Sequence, residues 1–476
     1  MLGNCPVVQR SQSEPTRAAD FAGKSLWFES ALLPSGWAPR VRFSLAKGCI
    51  ARVDIDCDPL EADERHFIAL PGLPNVHSHG FQRGMAGLTE LRGASADNFW
   101  SWRELMYRFV DRLQPEDLEA LTAQAYVEML ESGTTRVGEF HYLHHAPDGR
   151  PYANLGEMTD RVLAAASTTG IGLTLLPVLY CHSGFGGAAP HGGQRRFINN
   201  TDQFARLLDD ARPKLAKFPD SLLGVAPHSL RAVTPEQLRI AIALAGDAPL
   251  HIHAAEQTQE VDDCVAWSGE RPVEWLLNHN EVAARWCLIH ATHLNDTEVK
   301  RLAASHAVAG LCPMTEANLG DGIFRARDYL GAGGCLGIGS DSNVLLDVAA
   351  ELRQLEYSQR LAHRARNVLA CVGSDSTGRT LFDAALRGGM QALGQNRTDT
   401  GLTIGAVADI VSLDGQQPAL LERQGDALLD SWIFAAGRSA VDCVWRRGSK
   451  FVVSGRHIHR ATIATRFQQS LRRLLS

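Results

Sequence analysis

From Leu73 onward, short apolar runs alternate with longer amphipathic stretches, and this restricts the fold more than any other feature of the chain. An apolar run of four to eight residues has the length of a buried strand, and an amphipathic stretch behind it supplies a crossover helix. Eight strands are predicted: Leu73–His79, Thr134–His141, Gly172–Tyr180, Leu222–His228, Leu250–Ala254, Cys287–Thr292, Ala307–Cys312 and Cys335–Asp341. Helices are predicted over Pro115–Glu131, Asp202–Leu215, Pro235–Leu244, Asp296–Ala304 and Val348–Ala365. Eight such units make an α/β chain that closes into a (β/α)8 TIM-type barrel, with its chemistry at the carboxyl ends of the strands.

The flanks have a different texture. Ser25–Phe28, Val41–Ala46 and Cys49–Ile55 are short β-like runs separated by Gly and Pro, without helical periodicity. After the barrel, GLTIGAVADIVSLD (Gly401–Asp414) and Ala440–Ser454 resume that character. The simplest account is a small composite β-sandwich built from both ends of the chain. The expected division is a flexible extension over 1–24, the first β part over 25–70, the barrel over 71–400, and the second β part with a final helix over 401–476.

Bulk properties exclude several classes. The 476 residues are 45% hydrophobic and 21% charged, an ordinary globular balance with ample core. A net charge of −6 argues against general nucleic-acid or acidic-membrane binding. No run of about 18 apolar residues exists to form a transmembrane helix. The opening MLGNCPVVQRSQSEPTRAAD lacks the apolar core of a secretory signal. Ten scattered cysteines without a C-x-x-C pair suit reduced thiols, so a cytoplasmic location is expected.

The ends of the predicted strands carry the chemistry. His77 and His79 are two apart on strand one, so both side chains point to the same side. Strand five holds His251 and His253, strand six brings His290 and His293, and strand eight ends in Gly339-Ser340-Asp341-Ser342. His77, His79, His253 and Asp341 form the nitrogen and carboxylate set of a catalytic divalent metal, with Zn²⁺ the expected ion. Fe²⁺ and Mn²⁺ also accept such ligands. Glu256 follows His253 by three residues, where a carboxylate can move protons without ligating. His290 is placed to hydrogen-bond charge developing at the reaction centre. Leu222–His228 contains no lysine, so a carbamylated lysine bridging two ions has no candidate and one metal ion is expected.

With H-x-H on strand one, H-x-x-E on strand five, His on strand six and S-D-S on strand eight, the chain resembles the amidohydrolase superfamily. GAVADIVSLD is similar to that superfamily's split β-domain. NVHSHGFQRGMAG, FWSWRELMYR, GEFHYLHH, GLTLLPVLY, HSLRAVTP, HIHAAEQTQEVDDC, LIHATH and TEANLGDGIF resemble, within it, the deiminases of N-formimino-L-glutamate. The resemblance implies that His77, His79, His253 and Asp341 hold Zn²⁺ and that Glu256, His290 and Asp341 are catalytic, with Asp341 accepting a proton from the attacking water. It assigns Gln82, Arg103, Tyr142, His228 and Arg231 to substrate recognition. It further implies a homodimer and the hydrolysis of a linear amidine to N-formyl-L-glutamate and ammonia. Two positions depart from the family pattern: Asn343 stands where histidine is expected, and Met314 where serine is more usual. Both are expected to border the pocket. TEANLGDGIF, which contains glycine, is a candidate moving loop.

The residues themselves agree on the substrate class. A small molecule with two carboxylates needs fixed cations, and arginine's planar fork suits carboxylates. Arg103 is placed in the loop after strand one, behind Trp100-Ser101-Trp102, and Arg231 lies just beyond strand four. The alternative enzyme is a deaminase of a purine, pterin or other heteroaromatic amine, which an aromatic stacking wall favours. A barrel that has lost its chemistry, or a zinc-dependent binding module, is the non-enzymatic alternative.

Overall fold

The structure, a computed structural model, describes residues 24–90, 98–370, 375–395 and 401–476. The expected extension over 1–24 lies outside these but for Lys24. The strands are β1 (Ser25–Leu33), β2 (Gly36–Ala46), β3 (Cys49–Asp54), β4 (Glu64–Pro71), β5 (Leu73–Ser78), β6 (Thr134–His141), β7 (Gly172–Leu179), β8 (Leu222–Leu223) and β9 (Ala226–Pro227). They continue as β10 (Leu250–Ala254), β11 (Trp286–His290), β12 (Val308–Leu311), β13 (Cys335–Ile338), β14 (Ile410–Leu413), β15 (Val441–Arg446), β16 (Ser449–Val453) and β17 (Arg456–His457).

The barrel strands run parallel in two arcs, β5-β6-β7-β8 and β10-β11-β12-β13, with β9 beside β7. Two seams join the arcs. At one, Ser78 bridges Asp341, the backbone N–H groups of Ser340 and Asp341 donate to His77 O, and His79 N–H donates to Asp341 O. At the other, Val225 bridges Leu250 and Ser229 bridges His253. The predicted fourth strand is therefore two short pieces, because the β7–β8 and β7–β9 pairings are interrupted at Gly224–Val225.

Strands buried on both faces need apolar residues throughout, and β6, β7 and β10 are buried along their whole length. The helix Thr377–Ala392 packs across β13 and β5. It fits because Gly388 has no side chain: a Cβ there would stand 1.8 Å from Leu336 O. His251, two residues before His253 and therefore on the same face of β10 but deeper in the barrel, is used structurally, its Nε2 lying 2.8 Å from Ala392 O.

The two ends of the chain meet in one eight-stranded sheet of order β17-β16-β15-β14-β4-β1-β2-β3. β14 lies antiparallel to β4, which leads through Gly72 into β5, so this sheet is tied to the strand carrying the H-x-H pair. The final helix is Arg460–Leu475. The described cysteines are all free thiols. Among the described residues no helix is long and apolar enough to cross a membrane.

Candidate active site

The seam between β5 and β13 brings His77 and His79 against Asp341, and His253 reaches the same point from β10. His77, His79, His253 and Asp341 each offer one ligand atom, and these atoms all lie within 4.8 Å of one another. Asp341 Oδ1 is 3.4 Å from His77 Nε2 and 3.1 Å from His79 Nε2, and the Nε2 atoms of His77 and His253 are 3.1 Å apart. All four residues are buried. Two imidazoles donate their other nitrogen to backbone: His79 Nδ1 to Phe140 O at 3.0 Å and His253 Nδ1 to His228 O at 3.0 Å. That fixes the tautomer and turns the Nε2 lone pairs to one point.

The electrostatics fit a metal ion. Burial pulls His77 down to about 3 against the attraction of Asp341, and burial with neighbouring rings holds His253 well below the usual imidazole range. Both rings are thus neutral, as ligands must be. Burial opposes the charge on Asp341, but His77 and His79 outweigh it and keep the carboxyl well below its ordinary value. Three imidazole nitrogens and one carboxylate around a common point are a donor set for a divalent ion.

Backbone strain clusters here. Asp341, Asn343, Ala255, His290 and Ala291 have φ of 44°, 56°, 53°, 68° and 48°. Non-glycine residues in this region cost energy and persist where the surroundings hold them. Ala255 turns the chain off β10 so that Glu256 comes back over the site, as its offset from His253 predicts. Glu256 Oε1 is 3.8 Å from His290 Nε2, whose distance to Asp341 Oδ2 is 4.0 Å. Burial raises the carboxyl of Glu256, opposed by His290 and Arg231. Burial alone would lower His290, but Glu256, Glu316 and Asp341 surround it and lift it to about 10.

A cavity opens above these groups. His79, His253, Asp341 and Glu256 line it together with all five predicted recognition residues, Gln82, Arg103, Tyr142, His228 and Arg231. His77 and His290, with no exposed surface, lie behind it. Gln82 Nε2 donates to Tyr142 Oη at 2.7 Å, and His228 stacks on His253 with centroids 4.8 Å apart. Arg231 Nη2 is 3.5 Å from Glu256 Oε2, and Arg231 Nε is 3.8 Å from Glu260 Oε1.

Two expectations need correction. Arg103 is not in a loop: it sits on the helix Phe99–Val110, capped by the Asn98 side chain, with its guanidinium 4.3 Å from the Trp100 ring centroid. Asn343 and Met314 do not line the cavity. Asn343 is fully buried and donates to His79 O at 2.9 Å and Ser78 Oγ at 3.2 Å, so it braces the seam. Asparagine tolerates the left-handed backbone required there.

The sequence reading missed the remaining walls: Phe99, Trp102, Met106, Tyr107, Tyr180, Phe197 and Leu319. It also missed Glu260, which accepts the Glu256 N–H at 3.0 Å, and Glu316, which faces His290. The available signal was membership of the strings FWSWRELMYR, GLTLLPVLY, HIHAAEQTQEVDDC and TEANLGDGIF, and Phe197 lay in none of them.

Comparison with known proteins agrees with this geometry. Residues 68–450 match the model of the amidohydrolase family, and residues 26–67 match that of the formimidoylglutamate deiminase HutF N-terminal domain. The formimidoylglutamate deiminase of Pseudomonas aeruginosa is 52% identical over 95% of this chain and 99% of its own. A 5-methylthioadenosine/S-adenosylhomocysteine deaminase of Natronomonas pharaonis is 30% identical over 75% of each chain. The crystal structure of an amidohydrolase from Brucella melitensis superposes with a TM-score of 0.92 at 57% identity, covering 95% of this chain and 100% of that one. An adenosine deaminase from Xanthomonas campestris with bound zinc shares the fold at a TM-score of 0.79 and 23% identity, covering 95% and 98%. With a family model spanning the barrel, and a relative matched over nearly its whole length, the chain belongs to the amidohydrolase family and, within it, to the formimidoylglutamate deiminases.

Proposed function

We propose that the chain hydrolyses the terminal C=N bond of N-formimino-L-glutamate, giving N-formyl-L-glutamate and ammonia. The observation that carries this reading is that Arg103 and Arg231 line the same cavity as Glu256 and Asp341. Two fixed guanidinium groups suit a small dicarboxylate, and the buried carboxylates suit proton transfer at a polar carbon.

His77, His79, His253 and Asp341 would hold the divalent ion, with Zn²⁺ the proposed metal. When bound, such an ion is a Lewis acid that makes water nucleophilic near neutral pH. Arg103 and Arg231 bind the substrate carboxylates, with Gln82, Tyr142 and His228 completing the recognition surface. Asp341 Oδ2, the oxygen on the side of His290, accepts a proton as water adds to the formimino carbon. Glu256 relays protons to the terminal nitrogen, one as the oxygen adds and a second as the adduct's hydroxyl gives up its proton and becomes the formyl C=O, so the C–N bond breaks with neutral ammonia leaving. His290 Nε2 hydrogen-bonds the tetrahedral adduct while it exists. The walls of Phe99, Trp102 and Tyr107 limit water around the reacting carbon. A cytoplasmic location and a homodimeric assembly belong to the same proposal.

One observation favours the alternative. Phe99, Trp102, Tyr107, Tyr142, Tyr180 and Phe197 form an aromatic wall of the kind a heteroaromatic amine would stack on. The deciding experiment is ammonia release by the metal-loaded protein from N-formimino-L-glutamate, with adenine, guanine and a pterin in parallel. Release from the formimino acid alone, lost on chelation, is expected. Release only from a heteroaromatic amine would overturn the substrate while keeping the reaction class.

A further inference from the structure

We propose that Glu316 is a positioning residue for His290, holding the imidazole so that Nε2 faces the reacting atoms; this rests on the functional reading above. Glu316 lies in the short helix Pro313–Leu319 that follows β12, within the TEANLGDGIF string. Its Oε1 is 3.3 Å from His290 Nδ1, and the same oxygen accepts the Cys312 N–H at 2.9 Å. The carboxylate is anchored to the end of one barrel strand and reaches the end of the next.

The state of His290 shows why such a holder is required. Its ring is fully buried, and its backbone and that of Ala291 are both left-handed, so the local chain conformation is strained. Nε2 has no hydrogen-bond partner, although it is buried and lies 3.8 Å from Glu256 Oε1 and 4.0 Å from Asp341 Oδ2. One ring nitrogen is thus held from behind, and the other is left free toward the site. A ring turned over would present carbon where Nε2 now stands. An acceptor at Nδ1 selects the ring orientation and holds a proton on Nδ1, so that the Nε2–H of the charged ring is the one offered to the site. Glu316 is not among the residues lining the cavity, so it acts through His290 rather than on substrate.

The test compares Glu316→Ala and Glu316→Gln with the parent, as full-length zinc-loaded protein, in ammonia release from N-formimino-L-glutamate. Loss of such a supporting partner typically costs about 10- to 100-fold. Glu316→Ala is expected to lose kcat in that range with KM within about threefold, because the arginines that hold the carboxylates are untouched. Glu316→Gln, whose amide oxygen accepts both N–H groups, is expected to recover most of the loss. Independently of turnover, ¹⁵N-histidine NMR should show a hydrogen-bonded Nδ1–H on His290 in the parent and in Glu316→Gln, but not in Glu316→Ala. A Glu316→Ala protein with parental kcat, or with an unchanged His290 signal, overturns the inference. If Glu316→Ala does not fold, Glu316→Asp carries the test: drawing the acceptor back by one methylene should lower kcat about tenfold, and parental turnover overturns the inference. If the parent releases no ammonia from the formimino acid, the functional reading fails and the NMR comparison alone decides the role of Glu316.

Discussion

Two buried polar clusters sit at opposite ends of the barrel, and they are built on opposite principles. At the amino ends of the strands, Arg136 on β6 and Arg446 on β15 meet Asp220 and Asp409. Arg136 Nη1 donates to Asp220 O at 2.8 Å, Arg446 Nη2 to Asp220 Oδ2 at 2.9 Å, and Arg446 Nη1 pairs with Asp409. Two positive groups face two negative ones, and the cluster joins the small sheet to the barrel. At the carboxyl ends, His77 Nδ1, Arg231 Nε, Glu260 Oε1 and His290 Nε2 are buried without hydrogen-bond partners, with only ion-pair contacts of 3.8 Å joining Arg231 Nε to Glu260 Oε1 and His290 Nε2 to Glu256 Oε1. Buried polar atoms are ordinarily hydrogen-bonded, and although Arg446 Nε of the lower cluster also lacks a hydrogen-bond partner, the upper end gathers four such atoms at and behind one cavity. The lower cluster ties two parts of the fold together, and the upper one is the proposed reactive centre.

The contrast can be broken by experiment. The largest expected effect is at the upper cluster: Glu256→Gln should lower kcat by about 10³-fold or more while melting within a few degrees of the parent. Near-normal turnover in an ammonia assay would remove Glu256 from proton transfer. At the lower cluster, Arg446→Met should cost about 3–5 kcal/mol of stability in chemical denaturation, because it leaves Asp220 and Asp409 short of a buried partner. Its kcat per folded molecule should stay parental. A stable but inactive Arg446→Met protein would erase the distinction between the two ends.

Smaller effects sharpen the picture. Arg231→Ala should raise KM by about 10- to 100-fold with a lesser change in kcat, since it removes a charged hydrogen-bonding partner of the substrate worth about 1.5–3 kcal/mol. A loss confined to kcat would instead make its contact with Glu256 the important one. The smallest effect is on acid stability. Burial opposes the charge of Asp220, but Arg446 and Arg136 outweigh it and lower the carboxyl below its ordinary value. A depressed carboxyl adds stability above its unfolded value of about 3.9, and this is lost as pH falls through the folded value. Asp220→Asn should therefore flatten the dependence of denaturation midpoint on pH below about 4. An unchanged slope would place acid sensitivity elsewhere.

Much of the barrel was legible because its signals are local. Thr134–His141, Leu250–Ala254, Pro115–Glu131 and Asp296–Ala304 are found at their predicted bounds, where apolar run length or amphipathic spacing coincides with an element. Strand four was the exception. Leu222–His228 reads as one apolar run, yet the closing geometry at the seam with β10 divides it. Arg103 was misplaced into a loop because the Asn98 cap and the helix behind it gave a weaker signal than the Trp-Ser-Trp segment. The convergence of His77, His79, His253 and Asp341 was legible through the side-chain period of two on β5 and the position of each residue at a strand end.

By itself the sequence determined the order of β and α units, the neutral or anionic donors available at strand ends, and the arginines suited to a dicarboxylate. These depend on residue type and on spacings of two to four, which local geometry converts directly into direction. Only the tertiary structure decided which distant atoms meet. The seam hydrogen bonds place Asp341 against His77 and His79, the left-handed turn at Ala255 brings Glu256 over the site, and Glu316 reaches His290 from the neighbouring strand end. Such contacts arise from barrel closure, a constraint on the whole ring of strands that no single stretch of sequence contains.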